Sequence, residues 1–162
     1  MKLIQIDAEN ADRVAPLVAD FRVTLNGYRG IASRPKVEAA KEELMEFLDA
    51  GFPIYAAEDG GALAGYMVCR IEEPCLWVEH LFVREAYRRC GVATLLFEKA
   101  EALAAAMGED TVFNFVHPNN LGMIAFLRSK GYTVLNMIEI RKPYPGERLT
   151  TTIPVGDSLF DY

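Results

Sequence analysis

The sequence predicts a mixed α/β fold, an α+β arrangement with one sheet covered by helices on both faces. Three observations predict it. Two helix-period segments occupy the first third of the chain. Strand-like runs joined by tight turns follow from Pro53 to Val83, and residues 93–141 then alternate helix and strand. Hairpins produce antiparallel pairs and strand–helix–strand crossovers produce parallel ones, so a sheet using both is mixed.

The elements follow in order. Lys2 to Ile6 alternates as a first strand, and Asp7 can cap what comes next. Val14, Leu17, Val18, Phe21 and Leu25 recur at helical spacing, and Asn26-Gly27 is a stop signal. Tyr28 to Arg34 reads as a loop. Pro35 suits a first helical turn, and Val37, Ala40, Leu44, Phe47 and Leu48 mark a second helix that Gly51 ends.

Pro53 to Ala57 predicts a strand, Glu58-Asp59-Gly60-Gly61 a hairpin turn, and Ala62 to Ile71 the partner strand. Glu72-Glu73-Pro74 turns the chain into a fourth strand, Cys75 to Val83. A basic turn leads to a long helix, Ala93–Met107, stopped by Gly108. Thr111 to Val116 is a fifth strand, and His117-Pro118-Asn119-Asn120 breaks it and caps a helix to about Lys130, ended by Gly131. Val134 to Arg141 is the last clear strand. The tail from Lys142 predicts one more strand around Leu149–Val155, or an arm. No repeat, low-complexity segment or linker interrupts the chain, so residues 1–162 are expected to form a single domain.

Composition narrows the function classes. The 162 residues are 51% apolar and 25% charged, the balance of a globular protein. A net charge of −6 argues against nucleic acid as a partner. Cys69, Cys75 and Cys90 are odd in number and lack metal-ligand spacing, so neither a disulfide framework nor a metal site is expected, and a reducing cytoplasm fits. No run reaches membrane-span length and the N-terminus lacks a signal-peptide layout, so no membrane partner is expected.

The most informative stretch is Arg88-Arg89-Cys90-Gly91-Val92-Ala93, between an apolar strand and a helix. The first N–H groups of a helix have no internal partner, and the helix dipole is positive there, so such a turn suits an anion. Gly91 removes a side chain where the anion approaches, and the two arginines add charge and forked donors. The turn is neither a Walker loop nor a dinucleotide fingerprint. An ordinary exposed turn with solvated arginines is the plain alternative.

The order of elements with this turn after the fourth strand resembles the GNAT N-acetyltransferase family. The family motif Q/R-x-x-G-x-G/A is matched by Arg88-x-x-Gly91-x-Ala93, and Val78-Glu79-His80-Leu81-Phe82-Val83 looks like the family's fourth strand. Asn120 through Phe126 to Gly131-Tyr132 is similar to its second signature, N-x-x-A-x-x-F-Y-x-x-x-G-F. The resemblance covers roughly Leu3 to Arg141. It implies the GNAT fold, with splayed central strands, and acetyl-CoA as acyl donor. The pyrophosphate would lie on N–H groups of Arg89, Cys90, Gly91, Val92, Ala93 and Thr94 beside Arg88. The pantetheine arm would pair with the backbone of Leu81, Phe82 and Val83. Two roles are open to Asn120: helix N-cap and pantetheine contact.

The same resemblance makes Glu79 the base candidate for acetyl transfer to an amine, against the alternative of a solvated or arginine-paired carboxylate. Strand alternation sends Glu79 and His80 to opposite faces unless a bulge intervenes, and a structural role is the plainer one for His80. A backbone N–H of Leu81 or Phe82 would hold the thioester carbonyl. The family's usual tyrosine, a proton donor to the leaving thiolate, is Leu127 here, and its small residue after the Asn is Met123. Tyr87, Tyr132, Tyr144 or water could substitute, or the thiolate could leave with no dedicated acid. Cys90 has a helix N-terminus and two arginines beside it, but a tolerant motif position explains it as well. The acceptor, a small-molecule or peptide amine, would enter past residues 21–34, where Tyr28, Arg29 and Arg34 are candidates. Glu72 and Glu73 could attract a cation. A CoA-binding module without transferase activity is the alternative function, and a homodimer is plausible from family habit.

Overall fold

The computed structural model describes all residues, Met1–Tyr162, and the chain divides into two compact units, Met1–Phe126 and Leu127–Tyr162. The first unit contains β1 (Lys2–Ile6), α1 (Ala11–Tyr28), α2 (Val37–Asp49), β2 (Ile54–Asp59), β3 (Ala62–Glu72), β4 (Cys75–Val83), a 3-10 turn at Glu85–Tyr87, α3 (Val92–Ala106) and β5 (Phe113–Asn114). It ends within α4 (Leu121–Ser129). The sheet order is β1-β2-β3-β4-β5, with three antiparallel pairs and a parallel β4–β5 pair. The sheet is therefore mixed, and the reason is the one the turns imply: the β2–β3 reversal is tight, with Gly60 and Gly61 both at positive φ, whereas β4 reaches β5 through α3.

The two faces of the sheet are separated by strand alternation. Tyr66 and Val68 of β3 and Phe82 of β4 pack with Val14, Leu17, Val18 and Phe21 of α1 and Ala40 and Leu44 of α2 in one core. Full burial of an aliphatic or aromatic side chain contributes about 1.5–3 kcal/mol, so this layer anchors both helices. On the opposite face Gly65 lies against Val92 of α3: a Cβ placed on Gly65 would stand 3.2 Å from Val92 Cγ1 and 2.6 Å from the Phe82 carbonyl oxygen. The missing side chain lets the start of α3 sit directly on the β3–β4 ladder.

Several boundaries differ from the sequence-based expectation. Gly27 stays helical and α1 continues to Tyr28, because the chain leaves the helix only at Gly30, where φ is +71°. Asp7 does not cap α1; its Oδ1 takes the N–H groups of Glu9 and Asn10 in the preceding turn. Pro35 precedes α2, which begins at Val37. The fifth strand is pared to Phe113–Asn114. No helix is long and apolar enough to cross a membrane.

In the second unit the expected strand Val134–Arg141 is absent. The segment is irregular, and Val134, Leu135, Met137 and Ile140 are exposed. A period-2 apolar pattern becomes a strand only when a neighbouring strand takes its backbone groups. Strand structure appears instead in the tail, as an antiparallel hairpin of β6 (Thr152–Val155) and β7 (Ser158–Asp161) that turns at Gly156.

Candidate active site

The β4–β5 ladder holds only two residue pairs, Trp77 with Phe113 and Val78 with Asn114. Beyond them β4 continues to Val83 without a partner on that edge. Which backbone groups face the gap follows from the ladder on the other side. Arg84 N–H donates to Ala64 O at 2.9 Å, and Phe82 pairs with Tyr66 two residues before it. The peptide groups of Phe82 therefore point toward β3, and those of Leu81 and Val83 point into the gap. Val83 O confirms the direction by accepting from Arg88 Nε at 3.2 Å. This corrects the expected role of Phe82: its ring lies in the α1 core and its backbone belongs to the β3 ladder. Leu81 and Val83 are the residues with open backbone groups.

A bulge sits at the head of this gap. Val68 pairs with His80 and the next residue, Cys69, pairs with Val78, leaving Glu79 as the extra residue of β4. The bulge cancels one step of alternation, so Glu79 and His80 reach the same side of the sheet. Arg70 Nε donates to Glu79 Oε1 at 2.5 Å, the Arg70 NH1 group bonds Glu72, and the guanidinium lies 5.3 Å from the Trp77 ring centroid. The bond to Glu79, then that to Glu72, holds the Arg70 guanidinium above its ordinary pKa. Glu79 is thus an ion-paired carboxylate at the cleft. Arg70, which fixes it, was not anticipated from the sequence; a lone arginine in an otherwise apolar strand was the available signal.

His80 is the single buried polar residue of the core. Its Nδ1 is 3.1 Å from Tyr66 Oη, and its Nε2 is 3.3 Å from both Arg22 NH2 and Glu43 Oε1. Phe21 and Phe47 enclose the ring at centroid distances of 4.5 and 5.1 Å. Burial first, and the Arg22 charge second, depress its pKa to about 3. The imidazole is neutral, so it bridges Tyr66 on β3 to the Arg22–Glu43 pair that ties α1 to α2. This is the structural role. Arg22 and Glu43 carried no sequence signal, since each reads as a surface residue on its own helix.

The basic turn presents an open helix terminus. Arg89 and Gly91 both have positive φ, +64° and +82°, and Gly91 is the N-cap of α3 with no side-chain cap bond. The first intrahelical bond runs from Leu95 N–H to Gly91 O, so the N–H groups of Val92, Ala93 and Thr94 face outward. No acidic side chain lies in the first turn, and a Cβ on Gly91 would meet nothing within 4 Å. Arg88, Arg89 and Cys90 are exposed beside it. This donor set fits a phosphate or diphosphate.

At the other rim, Tyr28 joins the loop before α4. Its hydroxyl donates to Asn120 Oδ1 at 3.1 Å, its ring stacks on His117 at 5.9 Å, and its carbonyl accepts from Asn119 Nδ2 at 2.9 Å. Asn120 Oδ1 also takes the Met123 N–H at 3.1 Å, so Asn120 is an N-cap. Burial, then the Arg29 charge, lowers the His117 pKa; Arg29 and Arg34 are exposed. A cavity of about 40 Å³ lies at the head of the gap, lined by Phe21, Leu25, Glu79, Leu81, Asn114 and Met123 among others. Leu127 is buried, and Tyr144 is exposed with the Arg141 guanidinium 4.5 Å from its ring.

A parallel pair that parts after two residues, a bulged glutamate at the fork and an open helix terminus beyond the free strand lie along one edge of β4. Residues 22–132, more than half of the chain, match the model of the Acetyltransferase (GNAT) family. The chain belongs to that family. The fold is shared with a structure described as a probable acetyltransferase, at 19% identity and a TM-score of 0.72, over 91% of this chain and 100% of that one. It is also shared with a ribosomal-protein-alanine N-acetyltransferase from Brucella melitensis biovar Abortus 2308, at 17% identity and a TM-score of 0.70, over 88% and 99% of the two chains. An aminoglycoside antibiotic 6'-N-acetyltransferase from Acinetobacter haemolyticus aligns at 17% identity and a TM-score of 0.67, over 90% and 99%. No curated protein sequence matches significantly.

Proposed function

We propose that the protein is an N-acetyltransferase that moves the acetyl group of acetyl-CoA to a primary amine of a small molecule or peptide, by direct attack while both substrates are bound. The observation that carries this reading is the continuity of the open N-terminus of α3, the free edge of β4 at Leu81 and Val83, and Glu79 at the fork. In this reading Arg88, Arg89 and the N–H groups from Cys90 to Thr94 hold the pyrophosphate. The backbone of Leu81 and Val83 pairs with the pantetheine arm as an added strand would, and the Leu81 N–H holds the thioester carbonyl. Acetyl-CoA supplies the activated acyl carbon; as the amine nitrogen bonds to it the C–S bond breaks, and CoA leaves as a thiolate that takes its proton from water or from the amine that has attacked. Glu79 accepts a proton from the acceptor ammonium, directly or through water, and Arg70 orients its carboxylate. Tyr28 and Arg29 border the acceptor's entry, and Asn120 holds the loop beneath it. The same fold carries an aminoglycoside 6'-N-acetyltransferase and a ribosomal-protein-alanine N-acetyltransferase, which supports a small-molecule or peptide amine as acceptor.

A second reading, a CoA-binding module without transferase activity, is favoured by Leu127 at the position of the family's proton donor. Thiol release from acetyl-CoA across a panel of amines separates the two. Release above the amine-free rate supports transfer; tight acetyl-CoA binding in calorimetry with no amine-dependent release supports the module.

A further inference from the structure

Asn114 ends the parallel ladder at the fork, opposite Val78. Its Nδ2 donates to Val112 O at 3.0 Å. A carbonyl oxygen only accepts, so this bond decides which end of the carboxamide is nitrogen. The other end, Oδ1, is buried and receives no hydrogen bond, and it is the one buried side-chain nitrogen or oxygen of the protein in that state. Buried acceptors are nearly always paired, because an unpaired one has lost water and gained nothing. A leucine or valine would fill the same position with no buried acceptor of its own, at the loss of the single bond to Val112 O. The penalty is sustained at the point where the two strands part.

The placement says what the oxygen serves. Phe113 and Phe115 turn their rings to Trp77, at centroid distances of 4.8 and 4.6 Å. Alternation then sends Asn114 to the opposite face, which carries α3 and its anion-binding turn. Glu79 and Arg70 work on the Trp77 side, where α1 and α2 lie. Asn114 borders the cavity of about 40 Å³ together with Leu81, Asn120 and Met123. The oxygen is closed off beside this cavity, so a ligand seated in the fork meets it by displacing the side chains that cover it.

We propose that Asn114 is a ligand-binding residue whose Oδ1 accepts a hydrogen bond from an amide N–H of the pantetheine arm when the thioester end of an acyl-CoA reaches the fork. This rests on the acyl-CoA reading of the cleft. An oxygen on the α3 face meets the arm that descends from the α3 turn along the edge of β4; the acceptor amine comes from the Glu79 side.

The test is Asn114→Leu, with binding and stability measured separately. The variant loses the bond to Val112 O together with the unpaired acceptor, and its melting temperature without ligand establishes that it folds. It is expected to bind CoA, and pantetheine alone, about tenfold more weakly in calorimetry, or about 1.4 kcal/mol. Equal CoA affinity in the two proteins overturns the proposal while leaving the cleft's assignment intact. A wild type that binds no CoA overturns both. Should the variant not fold, the side-chain carbonyl resonance of Asn114 in labelled wild type decides the matter: it moves on adding CoA if the bond forms, and an unmoved resonance overturns the proposal. Movement with butylamine but not with CoA also overturns it.

Discussion

The Tyr28 hydroxyl donates to the same Asn120 Oδ1 that caps the Met123 N–H, each at 3.1 Å. One carboxamide oxygen therefore joins the end of α1 to the start of α4, 92 residues later in the chain. Tyr28→Phe keeps the ring on His117 and removes the bond. It should cost about 1 kcal/mol of stability, raise the KM for the amine several-fold and leave acetyl-CoA affinity unchanged. Thermal melts, steady-state kinetics and calorimetry measure the three. An unaltered amine KM would show that this contact does not shape the acceptor's entry.

Gly91→Asp should abolish acetyl-CoA binding. It places a negative charge among the outward N–H groups of α3, at a φ of +82° that an L-residue adopts at a cost of about 1–2 kcal/mol. Gly91→Ala is the control, since its Cβ would meet nothing within 4 Å. The alanine variant should lose some stability and retain most of its affinity. Calorimetry in which the aspartate variant still binds would remove the cradle assignment.

Glu79→Gln should lower kcat by about 10²-fold or more, in the range of a lost general base, with the acetyl-CoA Kd within about twofold. The glutamine still accepts from Arg70 but cannot take a proton. If the variant turns over at the wild-type rate across the pH range, Glu79 is an arginine-paired strand carboxylate and nothing more.

His80 predicts a pH dependence of stability. Its folded pKa of about 3 lies below the ordinary value of 6.5, so the unfolded chain binds the extra proton between those values. The neutral ring's contribution is complete above about pH 6.5 and is lost as pH falls toward 3, a change on the order of a few kcal/mol. The groups that face it are Arg22 from α1, Glu43 from α2 and Tyr66 from β3. Denaturant melts from pH 7.5 to 4 should show a steeper fall for wild type than for His80→Gln. Parallel curves would count against a neutral buried imidazole.

Much of the fold was legible because its signals are local. The glycine pair at 60–61, the helical stripe from Val14 to Leu25 and the basic turn at Arg88 each act within a few residues. Gly65 carried a readable signal, a lone glycine inside a strand, although its meaning required knowing that Val92 and Phe82 converge on it. Val134–Arg141 misled because alternation states a capacity for pairing, and pairing needs a partner strand.

The order of elements from β1 to α4, the open helix terminus at Gly91 and membership of the acetyltransferase family are written along the chain. Those features depend on backbone conformation and on motifs that are contiguous in the chain. Tertiary structure alone decided that a bulge turns Glu79 to the side of His80, that Arg70 holds its carboxylate, and that Phe82 belongs to the core. It alone left Asn114 Oδ1 without a partner at the fork. Register and face arise from the match between neighbouring strands, and one unpaired residue in β4 reverses every later side chain, a choice that no local pattern records.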